Sequence, residues 1–246
     1  MERSPPWRRS GGKAARTLAL TRQTIEGAER GWNCPLSGMK WDFLKADILP
    51  RPPPGAQAVA IMAGVGVLTG LISSIPSPLP DILLEDAGFV LNAKGVPLHA
   101  GIAFGAGMAI MMWLWTNRDP AKCLLTMALT LIGWLAAVNT ANDVFSAVVG
   151  SELFGTIEGA KANREVIGLL LAGVSAGAIG AGLTAFGSGI PAEAIRRPKS
   201  WILIVAVGAA LGVLLYPAAD LDAMIVLFVP WQAAVAAAIA YGLVRT

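Results

Sequence analysis

The sequence predicts an all-α integral membrane protein with six transmembrane helices. Of its 246 residues, 55% are hydrophobic and only 14% are charged, and the mean hydropathy is +0.61. A water-soluble chain of this length would need more polar sequence to cover its apolar segments. From Gly55 onward the apolar stretches recur at about the length that a helix needs to cross a hydrocarbon core. The bilayer is therefore predicted to surround most of the chain.

A basic segment rich in Pro and Gly precedes the apolar region. We assign it to residues 1–54, on the cytoplasmic side, and the transmembrane domain to residues 55–246. The first 38 residues contain no apolar run of the length that a secretory signal peptide requires. An amphipathic segment, "MKWDFLKADILPRPPP", begins at Met39, which is therefore an alternative translation start. The residues before Met39 are interpreted either as a disordered or mis-assigned leader or as a segment that contacts a partner or anionic lipid.

The apolar stretches are predicted to be helices, because they are apolar on all sides, whereas barrel strands alternate apolar and polar residues. Their predicted bounds are 55–76, 97–116, 122–142, 165–188, 201–217 and 223–244. The connections at 117–122 and 191–200 are short. Those at 77–96 and 143–164 are long enough to hold structure of their own.

The distribution of charge predicts the orientation of the bundle. With both termini inside, the inner side carries most of the basic residues near the spans, as cytoplasmic loops do. The inner set is Lys40, Lys45, Arg51, Arg118, Lys122, Arg196, Arg197, Lys199 and Arg245, and the outer set is Lys94, Lys161 and Arg164. The outer connections are acidic, with Asp81, Glu85, Asp86, Asp143, Glu152, Glu158, Glu165, Asp220 and Asp222. We predict three outward-facing helical hairpins, N-in and C-in, in a bacterial cytoplasmic membrane.

Glycines spaced four residues apart occur in several predicted spans. In lipid, small residues at this spacing let two helix backbones approach closely. The pairs are Gly66 and Gly70, Gly101 and Gly105, Gly173 and Gly177, and Gly208 and Gly212. Close helix packing is predicted at these positions.

The middle of each predicted span contains no ionisable side chain, which argues against a proton relay or a voltage sensor. Polar residues instead gather at the outer level, where "VNTAND" places Asn139, Asn142 and Asp143 on one face of the third helix. Together with others they define a candidate polar vestibule: Asp81, His99, Asn139, Asn142, Asp143, Glu165, Asp220, Asp222 and Gln232.

Two interpretations of this vestibule stay open. Carboxylate and amide oxygens are the ligands that hard cations prefer, which would make it a cation site. Alternatively, acidic residues interact favourably with helix N-termini, and interfacial polar side chains anchor helices at the headgroup level. His99 is the sole histidine of the chain, so no metal is assigned, and the sequence identifies no cofactor.

Two similar pentapeptides begin apolar stretches, "VPLHA" at 96–100 and "VPWQA" at 229–233. They are interpreted as chance similarity or as a duplicated hairpin in which His99 and Gln232 are equivalent. In either case they predict two helix starts at the outer interface, with Pro in the first turn.

The sequence favours a non-enzymatic polytopic membrane protein that is an accessory or scaffolding subunit of a larger membrane complex. The alternative is a small-solute permease or channel entered through the acidic outer vestibule. A membrane enzyme acting on lipid is disfavoured, because no acid–base pair is visibly positioned. The expected partners are the lipid bilayer and other membrane subunits. Nucleic acid is not expected, since the basic residues sort by membrane side.

Overall fold

The computed structural model describes residues 55–77, 80–84, 89–92, 96–116, 118–151 and 158–245. The extension predicted at 1–54, with the alternative start at Met39, lies outside these residues. So do four charged residues of the predicted outer connections, namely Glu85, Asp86, Lys94 and Glu152.

The described residues form a helical bundle with one small β-ribbon. The helices are α1 (Gly55–Ser73), α2 (Leu98–Trp115), α3 (Pro120–Val149), α4 (Glu158–Gly189), α5 (Pro198–Gly212), α6 (Leu215–Asp220) and α7 (Ile225–Val244). Strands β1 (Ile82–Leu84) and β2 (Phe89–Asn92) pair antiparallel, and Glu193–Arg196 forms a 3₁₀ turn. Six segments are long and apolar enough to cross a membrane, and α5 and α6 share one of them. The predicted six-helix membrane class is confirmed.

The third and fourth spans are longer than predicted. Helix α3 ends at Val149 rather than at residue 142, and α4 begins at Glu158 rather than at residue 165. At the helical rise, the 30 residues of α3 measure about 45 Å, which exceeds a hydrocarbon core of about 30 Å. Hydropathy marks only the part of a helix that lies in lipid, so it did not predict these helix ends. Most of the connection predicted at 143–164 is therefore helical in the structure.

Local sequence explains how several helices begin. The Asp119 side chain accepts hydrogen bonds from the backbone N–H groups of Ala121 and Lys122, at 3.1 and 3.3 Å, and caps α3. The helix start predicted at "VPLHA" is confirmed, although Pro97 is the extended N-cap residue of α2 and does not lie in its first turn. The prediction for "VPWQA" is wrong, because α7 begins at Ile225 and Pro230 lies inside it. Because proline has no N–H, Pro230 cannot donate the i→i−4 hydrogen bond to the Val226 carbonyl in the first turn of α7.

Neighbouring spans run antiparallel. On α1, Gly66 lies against Ala233 and Gly70 against Val229, so the residue numbers rise on one helix as they fall on the other. Helices α4 and α5 show the same reversal. The ribbon and the α6 region therefore lie at one end of the bundle, which we call the hairpin end. Arg196 and Arg245 lie at the opposite end, which we call the basic end. Which end faces the cytoplasm stays a prediction.

The centre of the packing is α7. Half of its span, 50%, is buried, compared with 22% for the span in α3. Its buried side chains include Val235 and Ile239, which pack with Met62 of α1 and Met108 of α2. Because these methionines are unbranched, they fill irregular space between the helices. Helix α7 thus positions residues from several other spans.

Candidate functional site

The nine residues of the candidate vestibule divide into two groups in the structure. Six are exposed: Asp81, Asn142, Asp143, Glu165, Asp220 and Asp222. Asp222 adopts a left-handed φ of 48° in the turn between α6 and α7, which points to a role in the turn. Among the described residues, no group of three or more His, Cys, Asp or Glu side chains is placed to hold a metal ion. The remaining three, Asn139, His99 and Gln232, form hydrogen bonds to other elements of the bundle.

Asn139 attaches the β-ribbon to α3. Its Oδ1 accepts a hydrogen bond from the Val90 backbone N–H at 2.7 Å, and its Nδ2 donates to the Val90 carbonyl at 3.0 Å. Nδ2 also donates to the Leu135 carbonyl of its own helix at 2.8 Å. The amide thus pairs with β2 as a neighbouring strand would, because it offers one donor and one acceptor side by side.

Sequence reasoning missed Asn92, which completes the same end of the bundle. It is fully buried, its Nδ2 donates to the Pro80 carbonyl at 2.8 Å, and its Oδ1 accepts from the Leu98 N–H at 2.9 Å. Asn92 therefore caps α2 from the ribbon. One feature of the sequence could have indicated this contact. Pro97 is the N-cap residue of α2 and has no side-chain oxygen, so a residue from another segment has to cap the helix.

Replacing Asn139 by Leu is expected to release the ribbon without unfolding the bundle. Losing two hydrogen bonds to Val90 should speed amide hydrogen exchange at Val90 by about tenfold or more. Exchange measured by mass spectrometry in detergent tests this, with Asn142→Leu as the matched control because Asn142 is exposed on the same helix. Unchanged exchange at Val90 in the Asn139 variant would contradict the assignment.

His99 and Gln232 both attach to the end of α1, at consecutive residues. The His99 Nε2 atom lies 3.2 Å from the Ile72 carbonyl oxygen. Gln232, which is fully buried, donates from Nε2 to the Ser73 hydroxyl at 2.8 Å, and that hydroxyl donates to the Thr69 carbonyl at 2.7 Å. The two pentapeptides therefore place their polar side chains on the same helix end, where each holds α1 against its neighbour.

The glycines singled out in the sequence lie at helix contacts. A Cβ atom at Gly66 would lie 2.5 Å from the Ala233 Cα atom, and one at Gly70 would lie 2.7 Å from the Val229 Cα atom. On α2, Gly101 packs on the Trp134 side chain and Gly105 on the Met127 backbone. Between α4 and α5, the contacts join Gly173 with Gly212 and Gly177 with Gly208. At the contacts between α1 and α7 and between α4 and α5, the backbones approach so closely that a side chain larger than hydrogen has no room.

A cavity of about 80 Å³ lies between these helices, in the half of the bundle nearer the hairpin end. Its walls combine small residues of α4 with aromatic side chains of α2, α3 and α7. Phe104 packs edge-on to Trp231 with ring centroids 5.8 Å apart, and Trp134 packs edge-on to Phe228 at 5.3 Å. The Trp231 indole N–H donates to the Gly208 carbonyl at 3.0 Å. The described residues of its lining include no ionisable side chain and none of the vestibule residues.

The spans, their polar contacts and the cavity describe a polytopic membrane protein that contacts lipid along its helices. Its hairpin end is held together by amide side chains, and the cavity between its helices is lined mainly by apolar side chains. Comparisons of the chain with models of protein families, with curated proteins and with solved structures find no match.

Proposed function

We propose that this chain is a non-enzymatic accessory or scaffolding subunit of a larger membrane assembly. The observation that carries the proposal is the use of its polar side chains. Asn139 holds the ribbon to α3, and Gln232 holds α7 to α1. Side chains that could have faced a solute or a substrate instead fasten elements of the bundle to one another. A protein built in this way offers its partners a rigid surface rather than a reactive site.

The exposed face of α1 supports the proposal. Ile61, Leu68 and Leu71 are exposed there, and Gly64 has open space in front of it. A small residue flanked by large apolar ones is typical of a surface on which a second transmembrane helix packs closely. In the proposed assembly, this face of α1 contacts a helix of another subunit.

A small-solute permease is the second candidate, and the cavity favours it less. Transport of a polar or charged solute requires polar groups along its path. Apart from the Thr130 and Thr184 side chains, the cavity walls are aromatic and aliphatic, and the exposed carboxylates do not line the cavity. The third class, an enzyme acting on lipid, lacks support from any acid–base pair positioned among the described residues.

Purification from the native membrane in a mild detergent tests the proposed function. The expected result is a native mass larger than the 25.5 kDa monomer, with a second membrane protein present at a fixed ratio. Gly64→Leu should reduce the recovery of that partner, while Ala128→Leu, on the exposed surface of α3, should leave it unchanged. A lone monomer would contradict the proposal. Solute flux by that monomer in reconstituted vesicles would favour the permease instead.

A further inference from the structure

We propose that the central cavity is a binding site for a neutral, partly apolar molecule that places one hydrogen-bonding oxygen beside Thr130. This inference goes beyond the proposed function and does not depend on it. It rests on an unmet hydrogen bond in the cavity wall, on the chemistry of the other walls and on the size of the cavity.

The unmet hydrogen bond belongs to Thr130. Its side chain is 2% exposed and lines the cavity, and its hydroxyl has no hydrogen-bond partner among the described residues. Other buried threonines in this part of the bundle are satisfied. On the facing helix, Thr184 donates to the Gly180 carbonyl at 2.8 Å, and one turn before Thr130 the Thr126 hydroxyl donates to the Gly187 carbonyl at 2.9 Å. Leaving a buried hydroxyl unpaired costs free energy that a ligand oxygen would recover.

The remaining walls specify an apolar body for this ligand. Phe104, Trp134 and Trp231 present aromatic surface to the cavity. The indole N–H of Trp231 and the hydroxyl of Thr184 already have protein partners, whereas the buried Thr130 hydroxyl has none among the described residues. A buried water needs two to four polar partners and would be held poorly here. An ion is excluded by the cost of removing its hydration in an apolar site.

The volume limits how much of the ligand the cavity can hold. About 80 Å³ is roughly half the volume of an engineered apolar cavity of about 150 Å³ that binds benzene. This space fits a hydroxyl or carbonyl oxygen on a group of a few carbon atoms. Such a group is supplied either by a free short-chain alcohol or ketone, or by the oxygen-bearing end of a longer membrane lipophile that extends through the open side of the cavity.

Saturable quenching of tryptophan fluorescence in the full-length protein tests the site, because two of its eight tryptophans, Trp134 and Trp231, line the cavity. The probe is 2-bromoethanol, and bromoethane is its counterpart without oxygen. Saturable quenching by 2-bromoethanol is expected. Thr130→Val keeps the side-chain shape and removes the hydroxyl, so it should weaken 2-bromoethanol binding about five- to tenfold. Quenching by bromoethane should not change.

Two further variants separate binding from a general effect on folding. Thr130→Ser retains the hydroxyl and is expected to retain the affinity. Thr184→Val removes a cavity-lining hydroxyl that is already satisfied, so it should leave the affinity unchanged. Equal affinity for 2-bromoethanol in the wild type and in Thr130→Val would overturn the proposal. If Thr130→Val does weaken 2-bromoethanol binding, competition with 1-tetradecanol identifies the source of the ligand. Displacement of the probe assigns the site to a membrane lipophile, and no displacement assigns it to a free small molecule.

Discussion

Gly177→Ala is expected to lower the thermal unfolding midpoint of the protein by about 10 °C. The added Cβ atom would collide with the Gly208 carbonyl oxygen, which is backbone and cannot rotate away. Helices α4 and α5 would have to separate, and the contact between Gly173 and Gly212 one turn away would open with them. Overpacking of this kind costs about 3 kcal/mol, and a chain of this size loses roughly 2–4 °C for each kcal/mol. Size-exclusion chromatography after heating in detergent measures the midpoint.

Gly182→Ala is the matched control, on the same helix. A Cβ atom at Gly182 would meet its nearest neighbours, in the Val205 and Trp201 side chains, at 3.6 and 3.7 Å, which is ordinary van der Waals contact. The thermal unfolding midpoint of Gly182→Ala should stay within about 2 °C of that of the wild type, because the new side chain fits and alanine favours the helix more than glycine does. Equal midpoints for the two variants would show that the contact between α4 and α5 does not limit stability.

The sequence predicts the membrane class and the number of spans because hydropathy depends on composition alone. Apolar runs of about twenty residues have few alternatives to a helix in lipid. The bounds are less predictable, as α3 shows, because a helix continues into the headgroup region for as long as its backbone hydrogen bonds are satisfied. Pro230 shows that a short motif is less informative than the whole apolar run. The pentapeptide suggests a helix start beside Pro230, whereas the run predicted at 223–244 agrees with α7, which begins at Ile225.

The polar contacts at the hairpin end depend on segments distant in sequence, so spacing along one helix could not predict them. Asn139 was singled out together with Asn142 and Asp143 because all three share a helix face. Its partner is the backbone of Val90, on a ribbon that neither hydropathy nor the expected loop predicted. The cavity is harder still to predict. Thr130 is an ordinary residue in an apolar run, and its unmet hydrogen bond exists only once five spans are assembled around the cavity.

Gly66→Ala should destabilise the packing of α1 on α7, whereas Gly64→Ala should leave this packing unchanged. A Cβ atom at Gly66 would lie 2.5 Å from both the Ala233 Cα atom and the Gln232 carbonyl oxygen, so α7 has to move. At Gly64 the same atom would meet open space. Displacing α7 would also stretch the hydrogen bond between Gln232 and Ser73 and leave the buried Gln232 amide nitrogen without this partner.

We therefore expect Gly66→Ala to lower the unfolding midpoint by about 10 °C and to change the fluorescence of Trp231, because α7 carries that side chain. The two glycines are two residues apart on one helix, so they share its environment in the membrane and differ chiefly in the face on which they lie. A loss of stability in both variants would mean that helix flexibility, rather than contact with α7, determines the need for glycine. A loss of stability in Gly66→Ala alone would show that glycine is required where the backbones of α1 and α7 are in contact.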